Sequence, residues 1–256
     1  MEIRVISTNI RFENEADGEN NWPSRKSIWQ SSIKKRCPSI VCTQEGRQPQ
    51  LKDAEATLEN FKLSYPDRPW IKERMYPCIF INSEWEVLSS GDRWLSETPM
   101  VPGSVSFDSM FPRLMTFSHL KHKENSIEII VANTHLDHLS TTTRAKQSKV
   151  LIDQLTHINS KKLPLILTGD FNESPEGEVR RNIDSSNIIS IDPWKDLNKT
   201  CEGTHHRFTG SNSDTARIDW ILASKEIKAI EAEIIKDNVN GKYPSDHFPI
   251  FVTFEI

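Results

Sequence analysis

The apolar positions of this chain fall in short runs that stop abruptly at polar residues. Residues 2–8 alternate as a half-buried strand does and end on Asn9. A polar stretch, 11–22, reads as a loop. Residues 25–36 carry Trp29 and Ile33 one turn apart, which predicts a helix with Ser24 as its N-cap after Pro23. Pro38 stops it, and 39–43 form a second strand that delivers Gln44 and Glu45. The pattern then returns. Residues 127–132 predict a strand ending on Asn133-Thr134-His135. A polar loop follows, and 144–158 place Leu151, Leu155 and Ile158 on one helical face. Beyond Pro164, the apolar run 165–168 ends in Gly169, Asp170, Phe171 and Asn172.

The two stretches have one order: strand, polar tip, loop, helix, proline, strand, acid. Asn9 to Glu45 is 36 positions and His135 to Asp170 is 35. They read as a degenerate internal repeat of a strand-helix-strand unit. Parallel strands joined by right-handed crossovers put their tips on one edge, so Asn9, Glu45, His135 and Asp170 are expected to converge. Further strands are predicted at 78–81 and 85–89, as a hairpin, and at 113–120, 217–222 and 248–254. No linker or composition break interrupts the chain. The expected fold is α/β, sheets packed on each other with helices outside, in one domain spanning residues 1–256.

Composition narrows the partners. The net charge is −4 and no long basic run occurs, so nothing demands a nucleic-acid duplex. Four widely spaced cysteines lack metal-type pairing, and Cys37 and Cys42 flank apolar residues as buried thiols would; a reduced, cytoplasmic protein is the expectation. The N-terminus enters a strand directly, and no apolar run is long enough to span a bilayer.

Candidate chemistry sits at the strand ends. Asp219 lies inside an apolar run, where an unpaired carboxylate is costly. His247 is its expected partner, since a carboxylate fixes the tautomer of an imidazole and raises its basicity; a backbone amide is the alternative. Asp246 and His247 are adjacent and face opposite ways on an extended strand, so with Ser245 they form no hydrolase triad. The oxygen-rich set Asn9, Glu45, Asp170, Asn172 and Asp246 suits a hard divalent ion. Zinc is the lesser alternative, hinted at only by His135-Leu-Asp-His138 and His205-His206.

In order along the chain, Thr8-Asn9, Gln44-Glu45, Asn133-Thr-His135, Gly169-Asp-Phe-Asn172, Arg217-Ile-Asp219 and Ser245-Asp-His247 resemble the blocks of the endonuclease/exonuclease/phosphatase superfamily, with its deoxyribonuclease I-like fold. Trp94 to Pro99, Pro112 to Thr116 and Gly203 to Phe208 resemble a bacterial branch near the nocturnin and deadenylase type. His205 departs from that branch, where an aromatic residue is expected. The resemblance implies a four-layer α/β/β/α sandwich with two mixed sheets. It also implies hydrolysis of a phosphodiester, by a nuclease or a small-molecule phosphodiesterase, with one or two Mg²⁺ or Mn²⁺ ions.

Carried over residue by residue, Glu45 is the main metal ligand, with Asn9 and Asp246 beside it. Asp170 orients or deprotonates water, and Asn172 holds a phosphate oxygen. His247, backed by Asp219, stabilises developing charge or serves as acid/base. His135, backed by Glu97, contacts the same phosphate. Arg113, Asn133 and His206 are the expected substrate contacts, a surface arginine being the alternative for Arg113; Trp22, Trp94 and Phe208 are placed around the pocket, with core packing the equal alternative for the tryptophans. Arg144 and Gln147 tie the His135 loop to its helix. The expected substrate is a phosphate ester, nucleic acid or nucleotide included, bound by a monomer away from membranes. A phosphomonoesterase or an inositol/lipid-headgroup phosphatase is the alternative. A catalytically dead binding module ranks last, because every expected position is filled.

Overall fold

The computed structural model describes residues 1–212 and 215–256. Eleven strands are named in chain order: β1 (Glu2–Asn9), β2 (Ile40–Arg47), β3 (Phe61–Leu63), β4 (Met75–Asn82), β5 (Trp85–Trp94), β6 (Leu114–His122), β7 (Glu128–His135), β8 (Leu165–Asp170), β9 (Asp219–Ala223), β10 (Lys228–Ile234) and β11 (Ile250–Glu255). Among the described residues five α-helices accompany them, besides a 3-10 helix at Glu15–Asn20: α1 (Trp22–Lys34), α2 (Gln48–Thr57), α3 (Thr141–Ile158), α4 (Glu178–Ser185) and the short α5 (Pro193–Asp196). One sheet has the order β10-β11-β1-β2-β4-β3, the other β5-β6-β7-β8-β9.

Both sheets are mixed. The parallel pairs are β1/β2 and β7/β8, the two crossover units, and each has antiparallel neighbours on both sides. Strict alternation explains the layers. Val5, Ile40, Cys42, Ile79, Ile129, Val131, Ile166 and Ile221 point between the sheets and form one core. Their neighbours point outward. Ile6, Val41 and Phe80 pack under Trp29, Ile33 and Leu51 of α1 and α2. Ile130, Leu167, Trp220 and Leu222 pack under Leu151, Leu155, Val179 and Ile183 of α3 and α4. The result is the α/β/β/α sandwich.

Three local expectations change. Helix α1 begins at Trp22, because Asn21 caps it by accepting from the Trp22 amide at 2.9 Å. Pro23 sits inside its first turn, where a missing N–H leaves nothing unpaired. Strands β4 and β5 are not a hairpin: they belong to different sheets, and the turn between them carries the chain across the sandwich. Cys37 is exposed in a left-handed turn (φ 45°), whereas Cys42 is buried. No helix among the described residues is long and apolar enough to cross a membrane.

Candidate active site

The carboxyl ends of β1, β2, β7 and β8 meet at one edge of the sandwich, as parallel crossovers require. They floor a cavity of about 400 Å³. Glu45 reaches it through a β-bulge. Thr43 pairs with Cys78 and Gly46 with Tyr76, so Gln44 and Glu45 together oppose Pro77 alone. Proline donates nothing to a ladder, so the break falls where no bond could form. Glu45 takes φ 67°, a strained conformation for a non-glycine residue, and its carboxylate turns into the cavity.

Asp170 comes from the straight end of β8. The pairing of β7 with β8 is tight at this point: a Cβ on Gly169, whose φ is 156°, would lie 2.4 Å from the Thr134 carbonyl oxygen. Asn9 bridges the two acids. Its amide nitrogen donates to Glu45 Oε1 at 3.1 Å and to Asp170 Oδ2 at 3.0 Å. Its Oδ1 accepts from the Arg11 amide at 2.9 Å. Asn9 therefore spaces the carboxylates from beneath. Asn172 turns back through φ 51°, donating its amide to Asp170 Oδ1 at 2.9 Å and its side chain to the Leu136 carbonyl at 3.1 Å.

The expected dyad is present. Asp219 Oδ2 lies 2.9 Å from His247 Nδ1, leaving His247 Nε2 3.9 Å from Asp170 Oδ2. His135 Nε2 lies 3.5 Å from the same oxygen. The two imidazoles are driven apart. Burial alone would lower His247, but Asp219, Asp170 and Asp246 outweigh it and raise the ring well above the usual histidine range. Burial lowers His135 well below that range, and Arg113 and His247 push the same way. Asp170 is pushed up to about 7, by burial first and then by Asp219. Burial would also raise Asp246, but His247, Arg11 and His205 hold it below the ordinary carboxylate range.

Asp246 and His247 both line the cavity, because the backbone bends at residues 244–246 and does not extend there. Arg113 lines it too, with Nη2 3.1 Å from His138 Nδ1. Four expectations are corrected. Asn133 is wholly buried between the sheets, and its amide is spent on protein groups there. His206 is stacked on Phe248 with centroids 3.9 Å apart, and His205 takes its place at the cavity. Glu97 is exposed and does not back His135. Trp22 and Trp94 are core residues, and Phe208 is not among the lining residues. The link from Gln147 and Arg144 to the His135 loop is present, through the Asp137 amide at 2.8 Å and carbonyl at 3.2 Å.

Sequence reading missed Arg11, Phe12 and Arg47, which line the cavity, and took His138, which also lines it, only as a hint of zinc. A signal existed for two of them. Arg11 and Arg47 stand two positions beyond Asn9 and Glu45, where a strand tip presents the same face again.

A sequence model described as the Endonuclease/Exonuclease/phosphatase family matches residues 6–247. The chain belongs to the endonuclease/exonuclease/phosphatase family. Within it, nocturnin of Rattus norvegicus is 22% identical over 98% of this chain. The chain spans 65% of that protein's length. The Bacteroides thetaiotaomicron mannosyl-6-phosphatase superposes with a TM-score of 0.89 at 26% identity, covering 99% of this chain and 100% of that one. The human nocturnin catalytic domain with bound sulfate superposes with a TM-score of 0.74 at 24% identity, covering 99% and 93%. Members of this family hydrolyse phosphate esters.

The donor set fits the divalent cation that the family typically uses. Ligand atoms of Glu45, His135 and Asp170 lie within 4.8 Å of one another, and among the described residues no lysine or arginine hydrogen-bonds the buried Asp170. Two carboxylates held about a neutral amide suit a hard ion.

Proposed function

We propose that this chain is a divalent-cation-dependent phosphoesterase for small phosphorylated molecules. The observation that carries the reading is geometric: Asp170 Oδ2 lies 3.9 Å from His247 Nε2, whose Nδ1 is held by Asp219 at 2.9 Å, beside a carboxylate-rich donor set of Glu45, His135 and Asp170. A base and an acid poised beside each other are what attack of water on phosphorus requires.

A cation held by Glu45, with Asp170 or Asp246 beside it, would supply positive charge against a phosphoryl oxygen. Asn9 acts as the spacer of the carboxylates. Asp170 accepts the proton of the attacking water. His247, as imidazolium, donates through Nε2 to charge developing on phosphorus or on the leaving oxygen. Asn172 has a second N–H beyond the one given to Leu136, and directs it at a phosphoryl oxygen. His135, neutral, donates or accepts without adding charge. Each such contact is worth roughly 100- to 1000-fold in rate.

A phosphodiester is the expectation from the motifs. A phosphomonoester has more specific support, from the full-length likeness to a mannosyl-6-phosphatase. The wall chemistry is compatible: Arg11, Arg47, Arg74 and Arg113 line the cavity beside Glu45, Glu73, Asp170 and Asp246, so arginines and a cation on the carboxylates would together meet the nearly two negative charges of a monoester at neutral pH. The cavity volume of about 400 Å³ suits a compact ligand. The test is a panel of sugar 6-phosphates, an aryl phosphodiester and short single-stranded RNA, each with Mg²⁺, Mn²⁺ and excess EDTA. Release of inorganic phosphate from a sugar phosphate, abolished by EDTA, is the expected result. Turnover that survives EDTA, or cleavage confined to RNA, would overturn the reading.

A further inference from the structure

We infer that Asn133 is a positioning residue for Glu45, acting across the two sheets on the bulge that aims the carboxylate. The proposal takes from the preceding subsection only that Glu45 holds the cation. Asn133 stands on β7, in the sheet opposite Glu45, and is completely buried. Its side chain crosses the interior. The amide nitrogen donates to the Thr43 carbonyl at 2.8 Å and to the Cys78 carbonyl at 2.9 Å.

Those two residues are the last regular pair of the β2/β4 ladder before the bulge. Beyond them Pro77 has no N–H to offer. A buried carbonyl gains from each donor it is given, and these two lie where the ladder is interrupted. Asn133 satisfies both with one group. Its Oδ1 is fixed in turn by Gln44 Nε2 at 2.7 Å and Thr168 Oγ1 at 3.2 Å. Gln44 is the other bulged residue, the immediate neighbour of Glu45, and it also donates to Ser7 Oγ at 3.1 Å.

The network therefore spans β1, β2, β4, β7 and β8 directly under the cavity. It explains how Glu45 can hold φ 67°. A strained backbone persists only when its surroundings over-determine it. Both bulged residues are anchored: Gln44 by one side-chain bond to Asn133 in the opposite sheet and one to Ser7 in its own, Glu45 by the Asn9 amide at 3.1 Å. Without Asn133 the least costly relaxation is to straighten β2, which withdraws the Glu45 carboxylate from Asp170 and His135.

The experiment measures Mn²⁺ binding to metal-free protein by titration calorimetry, so no turnover is needed. Asn133→Ala is expected to raise the Mn²⁺ Kd about 10- to 100-fold, the usual effect of losing a residue that orients a ligand. In a Glu45→Gln background the same substitution should change Kd less than about twofold, because coupled residues are not additive. Leu155→Ala, in the core under α3, serves as a destabilised control with unchanged Kd. If Asn133→Ala does not fold, Gln44→Met removes the bulge-side bonds to Asn133 and Ser7 while leaving both bonds from Asn133 to the carbonyls, and is expected to weaken Mn²⁺ about three- to tenfold. Unchanged Mn²⁺ affinity in whichever of these two variants folds, or an equal loss with and without Glu45, would overturn the proposal. A wild-type protein that binds Mn²⁺ but hydrolyses no phosphate ester would sink the functional reading and leave this one standing.

Discussion

The two crossover units of this protein start from one plan and end differently. In β1-α1-β2 and in β7-α3-β8, parallel strands flank a helix and the second strand delivers an acid. The first acid, Glu45, leaves a bulge opposite a proline, sits half-buried and opens on the cavity. The second, Asp170, ends a regular strand whose pairing with β9 continues to Asp219, and it is almost fully buried. Irregular backbone at a half-open position suits a group that must meet an ion. Regular backbone in a dry position beside a second carboxylate suits a group whose proton affinity must be high. Under the proposed function, one motif is divided into two jobs by exposure and pairing, with residue type almost unchanged.

The sharpest way to break this comparison is to remove each carboxylate in turn. Asp170→Asn should lower kcat by roughly 1000-fold at any Mn²⁺ concentration, because the proton acceptor itself is gone. Glu45→Gln should lose activity that raised Mn²⁺ partly restores, because its fault is affinity. Equal rescue of both in a Mn²⁺ titration would erase the distinction.

Next in size is Asp219→Asn. Asp219 raises both His247 and Asp170. Removing its charge lowers both pKa values, so both limbs of the pH-rate profile should move toward acid. The acid limb follows deprotonation of Asp170, and the alkaline limb follows loss of the His247 proton. At neutral pH the rate should fall roughly 100-fold. A profile whose limbs stay in place would detach the dyad from the reaction.

Glycine substitutions compare the two units by stability. A Cβ at position 169 meets the Thr134 backbone at 2.4 Å, whereas at position 46 it meets the Leu51 side chain at 2.5 Å. Backbone cannot yield as a side chain can. Gly169→Ala should cost about 3 kcal/mol and Gly46→Ala about 1 kcal/mol, read from denaturant unfolding. The reverse order would mean that the second unit is the more pliable.

The smallest effects should be alike in both units. Asn21→Ala and Ser140→Ala each remove the side-chain cap of a crossover helix, α1 and α3, and each should cost about 1 kcal/mol. A clear difference between their melting temperatures would show that one helix leans on its cap more than on its core.

The alternation of apolar residues was enough to determine the layers. Ile40, Val41 and Cys42 must face core, helix and core in turn, and water leaves no other arrangement for such a strand. The spacing of the two repeats determined that Asn9, Glu45, His135 and Asp170 would share an edge, and the apolar setting of Asp219 determined that it needed a partner. The tertiary structure alone decided which polar residues face a ligand and which face the protein. Asn133 and His135 stand two apart on one strand side, yet one is consumed by carbonyls of the other sheet and the other lines the cavity. His205 and His206 are neighbours, and only the stacking of His206 on Phe248 chooses between them. Those choices depend on groups tens of residues away in sequence, whose hydrogen bonds and contacts exist only after the sheets have closed on each other.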